Sequence, residues 1–346
     1  MGRYALRDPE AVKAHPASGC RKPQWLQVLL CLYIALANHG TAYSAQKSDY
    51  PSRPVRVIVP FPPSGGTDIV ARLLMQQLAE RFGQPFVIDN RPGAASTIGA
   101  QIAARAAPDG YTLLLVTASY AISASFYKSL PYDSIADFDA VAHLASGPLL
   151  VAVHPSVAAS SIKELVAIAK AAPDKLNYAS GGAGGINHLA AEMLKTLTGI
   201  RMVHVPYKGA GPALTALVGG EAQVMIATAG SALAQVRTGK LRALATCGDR
   251  RSSILPDLPI VAESGVPGYA ADNWYGLVSP RSVPRAIVSE LNKQIAAILM
   301  TALIRERYIA SGFEPSPSSA LQFAEYVHAE IRKWKRVMTE AGIRPE

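Results

Sequence analysis

Val55-Arg-Val-Ile-Val59 runs straight into Pro60-Phe-Pro-Pro-Ser-Gly-Gly-Thr-Asp68, and Ile69, Leu73, Leu74, Leu78 and Phe82 follow at helical spacing. The β-branched run reads as a strand, the glycine stretch as a turn and 68–82 as a helix. Strand, glycine turn and helix in that order make the first half of a βα unit, and the pattern repeats. Phe86–Ile88 reads as a strand, Ile98–Ala106 as a helix and Tyr111–Val116 as a buried strand. Further strands are expected at Leu149–Val153, Asn177–Ser180, Met202–Val205, Ala222–Ile226 and Trp274–Val278, with a capping box at Ser161–Glu164. Alternation of this kind is the mark of an α/β chain built on largely parallel sheets. Two helical patterns, Pro284–Met300 and Ala320–Met338, close the sequence and are expected to cap the first lobe from outside.

The turn at 60–68 has a second reading. In an open α/β sheet a ligand lies beyond the carboxyl ends of the strands, where the next helix presents unpaired amides. Gly65 and Gly66 allow close backbone approach, and Thr67 or Asp68 begins the helix, so the loop can hold an anion through backbone alone. On local grounds a plain glycine turn ahead of a capped helix accounts for it equally well. Three more junctions share the logic: Val116-Thr-Ala-Ser119, Tyr178-Ala-Ser-Gly-Gly-Ala-Gly-Gly-Ile-Asn-His188, and Val205-Pro-Tyr-Lys-Gly-Ala-Gly-Pro212. Four glycines within Gly181–Gly185 are entropically expensive for a mere connector. Their spacing fits neither G-x-G-x-x-G nor a P-loop, so neither a dinucleotide nor any other cofactor is indicated.

Length and charge bound the rest. Arg21 and Lys22 precede the apolar run Trp25–Ala37 and the small residues ending at Ala45, the order of a secretory signal peptide cleaved near Ala42 to Ala45. Residues 1–45 hold five of the 34 basic and two of the 25 acidic side chains, so the remainder carries a net charge of +6. Its basic residues are scattered. The cluster Arg332–Arg336 fits a solvated helix face, and no nucleic-acid footprint emerges. Cys247 is the one cysteine beyond the leader, which excludes an intrachain disulfide in the processed chain. About 300 residues without disulfides need a core large enough to stand alone, usually divided into two domains.

Catalytic readings are weak. His143, His154, His188, His204 and His328 show no metal-ligand spacing, and Ser180 lacks the glycine two residues earlier that a nucleophile elbow requires. No nucleophile with an adjacent base can be proposed, and Asp68 and His188 are the only candidate bases at the junctions.

Taken together, Pro60–Asp68, Asn90-Arg-Pro-Gly-Ala94, Pro108–Leu113, Leu130-Pro-Tyr-Asp133, His204-Val-Pro-Tyr-Lys-Gly209, Gly239–Leu244, Ser264–Tyr269 and Trp274-Tyr-Gly-Leu277 closely resemble the Bug family, the TctC-like receptors of tripartite tricarboxylate transporters. The resemblance spans nearly all of the chain beyond residue 45. It implies a periplasmic-binding-protein type II fold, with two α/β lobes joined by crossing strands. Residues 46–147 with 271–346 would form lobe 1, and 148–270 lobe 2. It also implies a monomeric periplasmic receptor that delivers a small carboxylate to the membrane subunits of a transporter, with no catalytic residue and no metal. The carboxylate would be held by backbone groups and water between two loops, with Phe61, Pro62, Pro63, Gly65, Gly66 and Asp68 on the first. Ala179, Ser180, Gly181 and His188 lie on the second, and Thr117, Ser119 and Tyr207 sit at the other junctions. Pro62, Ser119, Ala227, Thr228 and Asn273 are expected to set specificity. Three departures stand out: Ala95-Ser96-Thr97 replaces the common Gly-Gly-Asn, Gly185-Ile-Asn187 replaces a Ser or Thr before His188, and Ala227-Thr228 follows Val224-Met-Ile226 where the family usually has Asp. Without that carboxylate an ammonium loses a natural partner, so a ligand lacking a primary amine is expected. A sensor for a membrane signalling system, or an exported enzyme acting on a small acid, remain as alternatives.

Overall fold

The computed structural model describes residues 50–63 and 65–345. The signal-peptide reading lies outside the described residues.

Two sheets organise the chain. The first is built from β1 (Val55–Val59), β2 (Phe86–Asn90), β3 (Thr112–Thr117), β4 (Phe138–Gly147), β10 (Asn273–Pro280) and β11 (Glu314–Pro315), in the order β11-β4-β10-β3-β1-β2. The second contains β5 (Leu149–Val153), β6 (Asn177–Ser180), β7 (Val203–Pro206), β8 (Val224–Thr228) and β9 (Arg242–Thr246), in the order β7-β6-β8-β5-β9. Strands joined by helices pair in parallel: β1 with β2 and β3, β6 with β7 and β8. The others pair antiparallel, so the sheets are mixed, with a smaller parallel share than the βα pattern implied. The cause is the connection between sheets. β4 passes to β5 through Pro148 alone, and β9 returns to β10 through residues 247–272, so both crossings bring strands in against the parallel direction. Cys247 N–H donates to the Leu149 carbonyl (2.8 Å) and Ala271 N–H to the Cys247 carbonyl (2.7 Å), lacing the crossings together.

The helices are α1 (Gly66–Phe82), α2 (Thr97–Ala104), α3 (Ala118–Phe126), α4 (Ile162–Ala171), α5 (Ile186–Thr198), α6 (Ala210–Val218), α7 (Ala229–Arg237), α8 (Arg285–Leu299), α9 (Ala302–Ala310) and α10 (Ala320–Glu340). In α4 the Ser161 side chain caps the Glu164 amide, as its spacing predicts. Glu164 reaches back one residue further than a capping box requires, to the amide and hydroxyl of Ser160, both at 2.7 Å.

One face of the first sheet packs Val57, Val59, Leu113, Leu115 and Leu277 against α1, α8 and α9. The other face continues into the second sheet: Ile58, Leu114 and Val116 share one buried cluster with Val151, Tyr178 and Val224. The join runs through α10, which packs on α3 and β4 and also on α5. The expectation that the C-terminal helices cap only the first lobe is therefore corrected for α10. Its stripe of Phe323, Val327, Trp334 and Val337 is long enough to reach both sheets. Buried Glu330 accepts from the indole N–H groups of Trp274 and Trp334, each at 3.0 Å, giving two large apolar rings a polar anchor.

Candidate functional site

Two helix starts have nearly the same backbone. α1 begins behind Gly65 at φ −79°, ψ 168°, and α5 behind Gly185 at φ −77°, ψ 160°, and at neither does a cap side chain bond the first-turn amides. Each helix follows a strand end, β1 or β6, so amides of both sheets lie where an anion is stabilised by the N-terminal dipole.

The first loop is tied down by Asp68. Its buried carboxylate receives Asn90 Nδ2 (3.0 Å) and Arg72 Nε (2.7 Å), while Asn90 Nδ2 also reaches the Phe61 carbonyl (3.0 Å). Asp68 thus shapes the loop through hydrogen bonds. Pro62, Pro63 and Gly65 stay exposed, Phe61 and Gly66 are half-buried, and Gly66 abuts the buried side chains of Tyr275 and Phe313. A Cβ on Gly66 would lie 3.2 Å from the Tyr275 hydroxyl. That hydroxyl accepts from Asn273 Nδ2 at 2.8 Å, which leaves its own proton free to donate beside the start of α1. Thr117 and Ser119 are buried at the start of α3, where the Thr117 hydroxyl takes the Ser119 amide at 3.3 Å.

The second loop is braced from behind. Ser180 Oγ lies 2.6 Å from His204 Nε2, 3.1 Å from the Gly182 carbonyl and 3.2 Å from the Gly182 amide. One hydroxyl proton satisfies all three contacts only if His204 donates from Nε2, the Gly182 amide donates too, and Ser180 gives its proton to the Gly182 carbonyl. In that arrangement His204 cannot act as the base for Ser180. Ser180 is also fully buried. This contact is not legible in the sequence, because 24 residues separate the partners. His188 turns inward as well: its Nδ1 accepts the Gly184 amide at 3.1 Å, and its ring stacks on His204 with centroids 4.1 Å apart. Asn187 donates to the Ile226 carbonyl, fastening the loop to the end of β8, next to buried Ala227.

Contacts between elements of the two sheets flank this region. Gly184, at φ +71°, presses on the Phe126 ring of α3, where a Cβ would lie 2.7 Å from ring carbons. Gly230, behind Ala227 and Thr228, meets the Ser311 carbonyl and Gly312 in the same way. Thr228 precedes α7 without capping it, its hydroxyl being bonded to Ser231 Oγ at 2.7 Å. Gly181 is forced to be glycine by the backbone of Ala210, 2.9 Å from where a Cβ would stand, and Ala179 is buried beneath it in β6. Tyr207 joins the region only by backbone, its amide donating to the Ser180 carbonyl at 2.9 Å. Its phenol points to Glu221.

One group escaped the sequence reading, which did expect Asn273. Ala94, Ala95 and Ser96 all take positive φ, at 45°, 48° and 85°, and Ser123 Oγ donates to the Ala95 carbonyl at 3.2 Å. Ser96 Oγ and Asn273 Oδ1 are buried polar atoms with no partner among the described residues, whereas such groups are normally bonded. The only signal was the replacement of glycines by Ala95-Ser96. Cys247 is fully buried and its thiol is pushed up to about 12 by that burial, which makes it inert. Among the described residues no group of three or more His, Cys, Asp or Glu is arranged to hold a metal ion.

Burial, and next the neighbouring His204, push His188 down to about 4, against the opposing pull of Glu192. A base held neutral in the fold binds fewer protons than the unfolded chain. Its stabilisation is complete above the unfolded value near 6.5 and is lost as pH falls from there towards about 4. His143, pushed to about 4 by burial, and His204, lowered by burial, act in the same sense. Asp272, raised by burial to about 7, acts in the opposite sense between its unfolded value of 3.8 and about 7. Thermal melts between pH 6.5 and 4.5 should lose stability, and His188→Asn, which keeps an acceptor for Gly184, should recover about 2 kcal/mol of that loss. Parallel melting curves for the variant and the parent chain would sink the assignment.

Residues 70–343 match the tripartite tricarboxylate transporter family receptor, TctC. Protein BugT of Bordetella pertussis (strain Tohama I) is 35% identical over 318 residues, covering 91% of this chain and 98% of BugT. Among solved structures, R. palustris Rpa4515 with adipate superposes with a TM-score of 0.80 at 36% identity, over 86% of this chain and all of that one. MatC (Rpa3494) from Rhodopseudomonas palustris with bound malate gives 0.75 at 32% identity, over 83% and 99%. The two-sheet architecture is that of the periplasmic binding proteins, and the chain belongs to the TctC family of tripartite tricarboxylate transporter receptors.

Proposed function

We propose that the chain is an exported, monomeric receptor that captures a small dicarboxylate without a primary amine and delivers it to the membrane subunits of a tripartite transporter. The observation that carries this reading is the pair of uncapped, glycine-led helix starts at Gly65 and Gly185, one from each sheet. Residues 46–147 with 271–346 act as one lobe and 148–270 as the other, with the hinge at Gly147-Pro148 and at 271–272. One carboxylate takes amides of the loop at Pro60–Asp68, assisted by the Tyr275 hydroxyl. The second loop, from Ala179, presents its amides from the other lobe, and Ser96 and Ser119 supply hydroxyls. Hydrogen bonds to a charged group contribute about 1.5–3 kcal/mol each, and a micromolar complex needs about 8 kcal/mol. Four or five such bonds suffice without a buried arginine.

Ala227 and Thr228 offer no charge to an ammonium, which favours plain diacids over amino acids. Relatives bound to adipate and malate support the diacid class. Residues 1–45 serve as the export signal, cleaved near Ala42 to Ala45. A thermal-shift screen of the processed chain against mono-, di- and tricarboxylates, aromatic acids and amino acids tests the reading, because a ligand raises stability by RT ln(1 + [L]/Kd). Diacids should give the largest shifts; shifts confined to amino acids, or turnover of any acid, would overturn it.

A further inference from the structure

A cavity of about 440 Å3 lies against the hinge and is lined by none of the glycine-loop residues. That volume is within the range of small-molecule sites, roughly 300–1,000 Å3. Its walls come from both crossings (Pro148, Thr246, Gly248 and Ala271), from β4, from the chain around β11, and from α10.

The charges in these walls do not balance. Asp249, Asp272, Glu314 and Glu330 face Arg250, Arg251 and Lys333. Arg251 is engaged by Glu263 outside the cavity at 2.7 Å, and Lys333 is paired with Glu330. Asp249 and Glu314 are left against Arg250, while Asp272 is offset only by Lys333, whose ammonium Glu330 already engages. Glu314 receives Ser252 Oγ at 2.6 Å and the Ser253 amide at 2.8 Å, whereas no donor among the described residues reaches the Asp272 carboxyl. Asp272 lies so close to the crossing that a Cβ on Gly248 would be 2.8 Å from its Oδ2. Burial first, and Asp249 next, push its proton affinity up to about 7 against the opposing pull of Lys333, so burial alone does not stabilise the charged carboxylate.

His143 adds to the imbalance. It is neutral near pH 7 and bonds the backbone of Ala145, and its Nε2 is buried without a partner. The walls are thus rich in acceptors and poor in free donors. A metal ion fits poorly, since no three ligating side chains converge among the described residues.

We propose that this hinge cavity is a second binding site, for a small organic cation of the ammonium or diamine class. The ammonium pairs with Asp272 and Asp249, and the carbon chain lies along Tyr326 and Pro148. Nothing in this depends on the carboxylate reading of the glycine loops, so either can fail alone.

Calorimetric titration of 1,4-diaminobutane into the processed chain, with ethylammonium, magnesium chloride and calcium chloride titrated in parallel, tests it. One saturable diamine site per chain is expected, and excess adipate should not displace it. Asp272→Asn should weaken the diamine at least about tenfold, and Ser316→Trp, which fills the cavity without removing a charge, should abolish binding. Both variants are compared with the parent by thermal midpoint, so that lost binding is separated from lost fold. Absence of saturable diamine binding, displacement by adipate, unchanged affinity in folded Asp272→Asn, or a response to the metal salts alone would overturn the proposal.

Discussion

Replacing Gly276 by alanine is expected to cost about 3 kcal/mol or more of folding stability, at the upper end of overpacking penalties. Gly276 lies mid-strand in β10, where a Cβ would stand 1.9 Å from Phe323 Cζ and within 2.7 Å of two further ring carbons. Phe323 is fully buried and packs edge-on against Trp274, so its ring has no free space to enter. Relief requires α10 to lift off β4 and β10, and α10 is the helix that joins the two halves of the shared core. Urea denaturation should show the loss, and Phe323→Leu in the same chain should restore part of it. A cost below about 1 kcal/mol for Gly276→Ala alone would mean that α10 is held more loosely than this packing implies.

Gly184→Val is expected to act on binding rather than folding, weakening the carboxylate roughly hundredfold. The residue sits at φ +71°, which a β-branched side chain rarely adopts, and its Cβ would meet the Phe126 ring at 2.7 Å. Because Gly184 belongs to the loop between β6 and α5 and Phe126 to α3, moving these two elements apart relieves the clash. The variant should therefore stay folded by circular dichroism while losing affinity in calorimetry. Phe126→Ala should restore part of the affinity. Unchanged affinity in Gly184→Val would show that the lobes need not meet there when ligand binds.

What was legible in the sequence follows from how local each feature is. β1, α1 and the glycine turn between them lie within residues 55–82, and the strand bounds match while α1 begins two residues earlier than its periodicity indicates. Gly65 itself serves as the N-cap, so Thr67 and Asp68 fall inside the helix. β4 was not read as a strand. Its apolar residues Phe138, Ala140, Val141, Ala142, Leu144 and Ala145 break the two-residue period, and the register shifts opposite Tyr275–Gly276 and Leu277–Val278 explain why. α9, nine residues long, shows no clear apolar stripe and is not legible in the sequence.

The site divides in the same way. Both glycine loops were visible because backbone demands leave a mark on composition. The Ser180–His204 bond, the Asn90 link between Asp68 and Phe61, and the Tyr275 hydroxyl beside Gly66 were not, since each joins residues far apart in sequence. Inward-turned His188 was equally hidden, because the same residue type at a helix start serves a ligand or a loop depending on its rotamer. Asp249, Asp272 and Glu314 meet only once the crossings form.

The most direct test of the receptor account is a pair of calorimetric titrations of the processed chain, one with adipate and one with 2-aminoadipate, which differ by a single ammonium group. The account predicts saturable 1:1 binding of adipate, and at least about tenfold weaker binding of the amino analogue, which would bury an ammonium with no carboxylate at Ala227 to receive it. Tight binding of 2-aminoadipate with no saturable heat from adipate or any other plain diacid would contradict it.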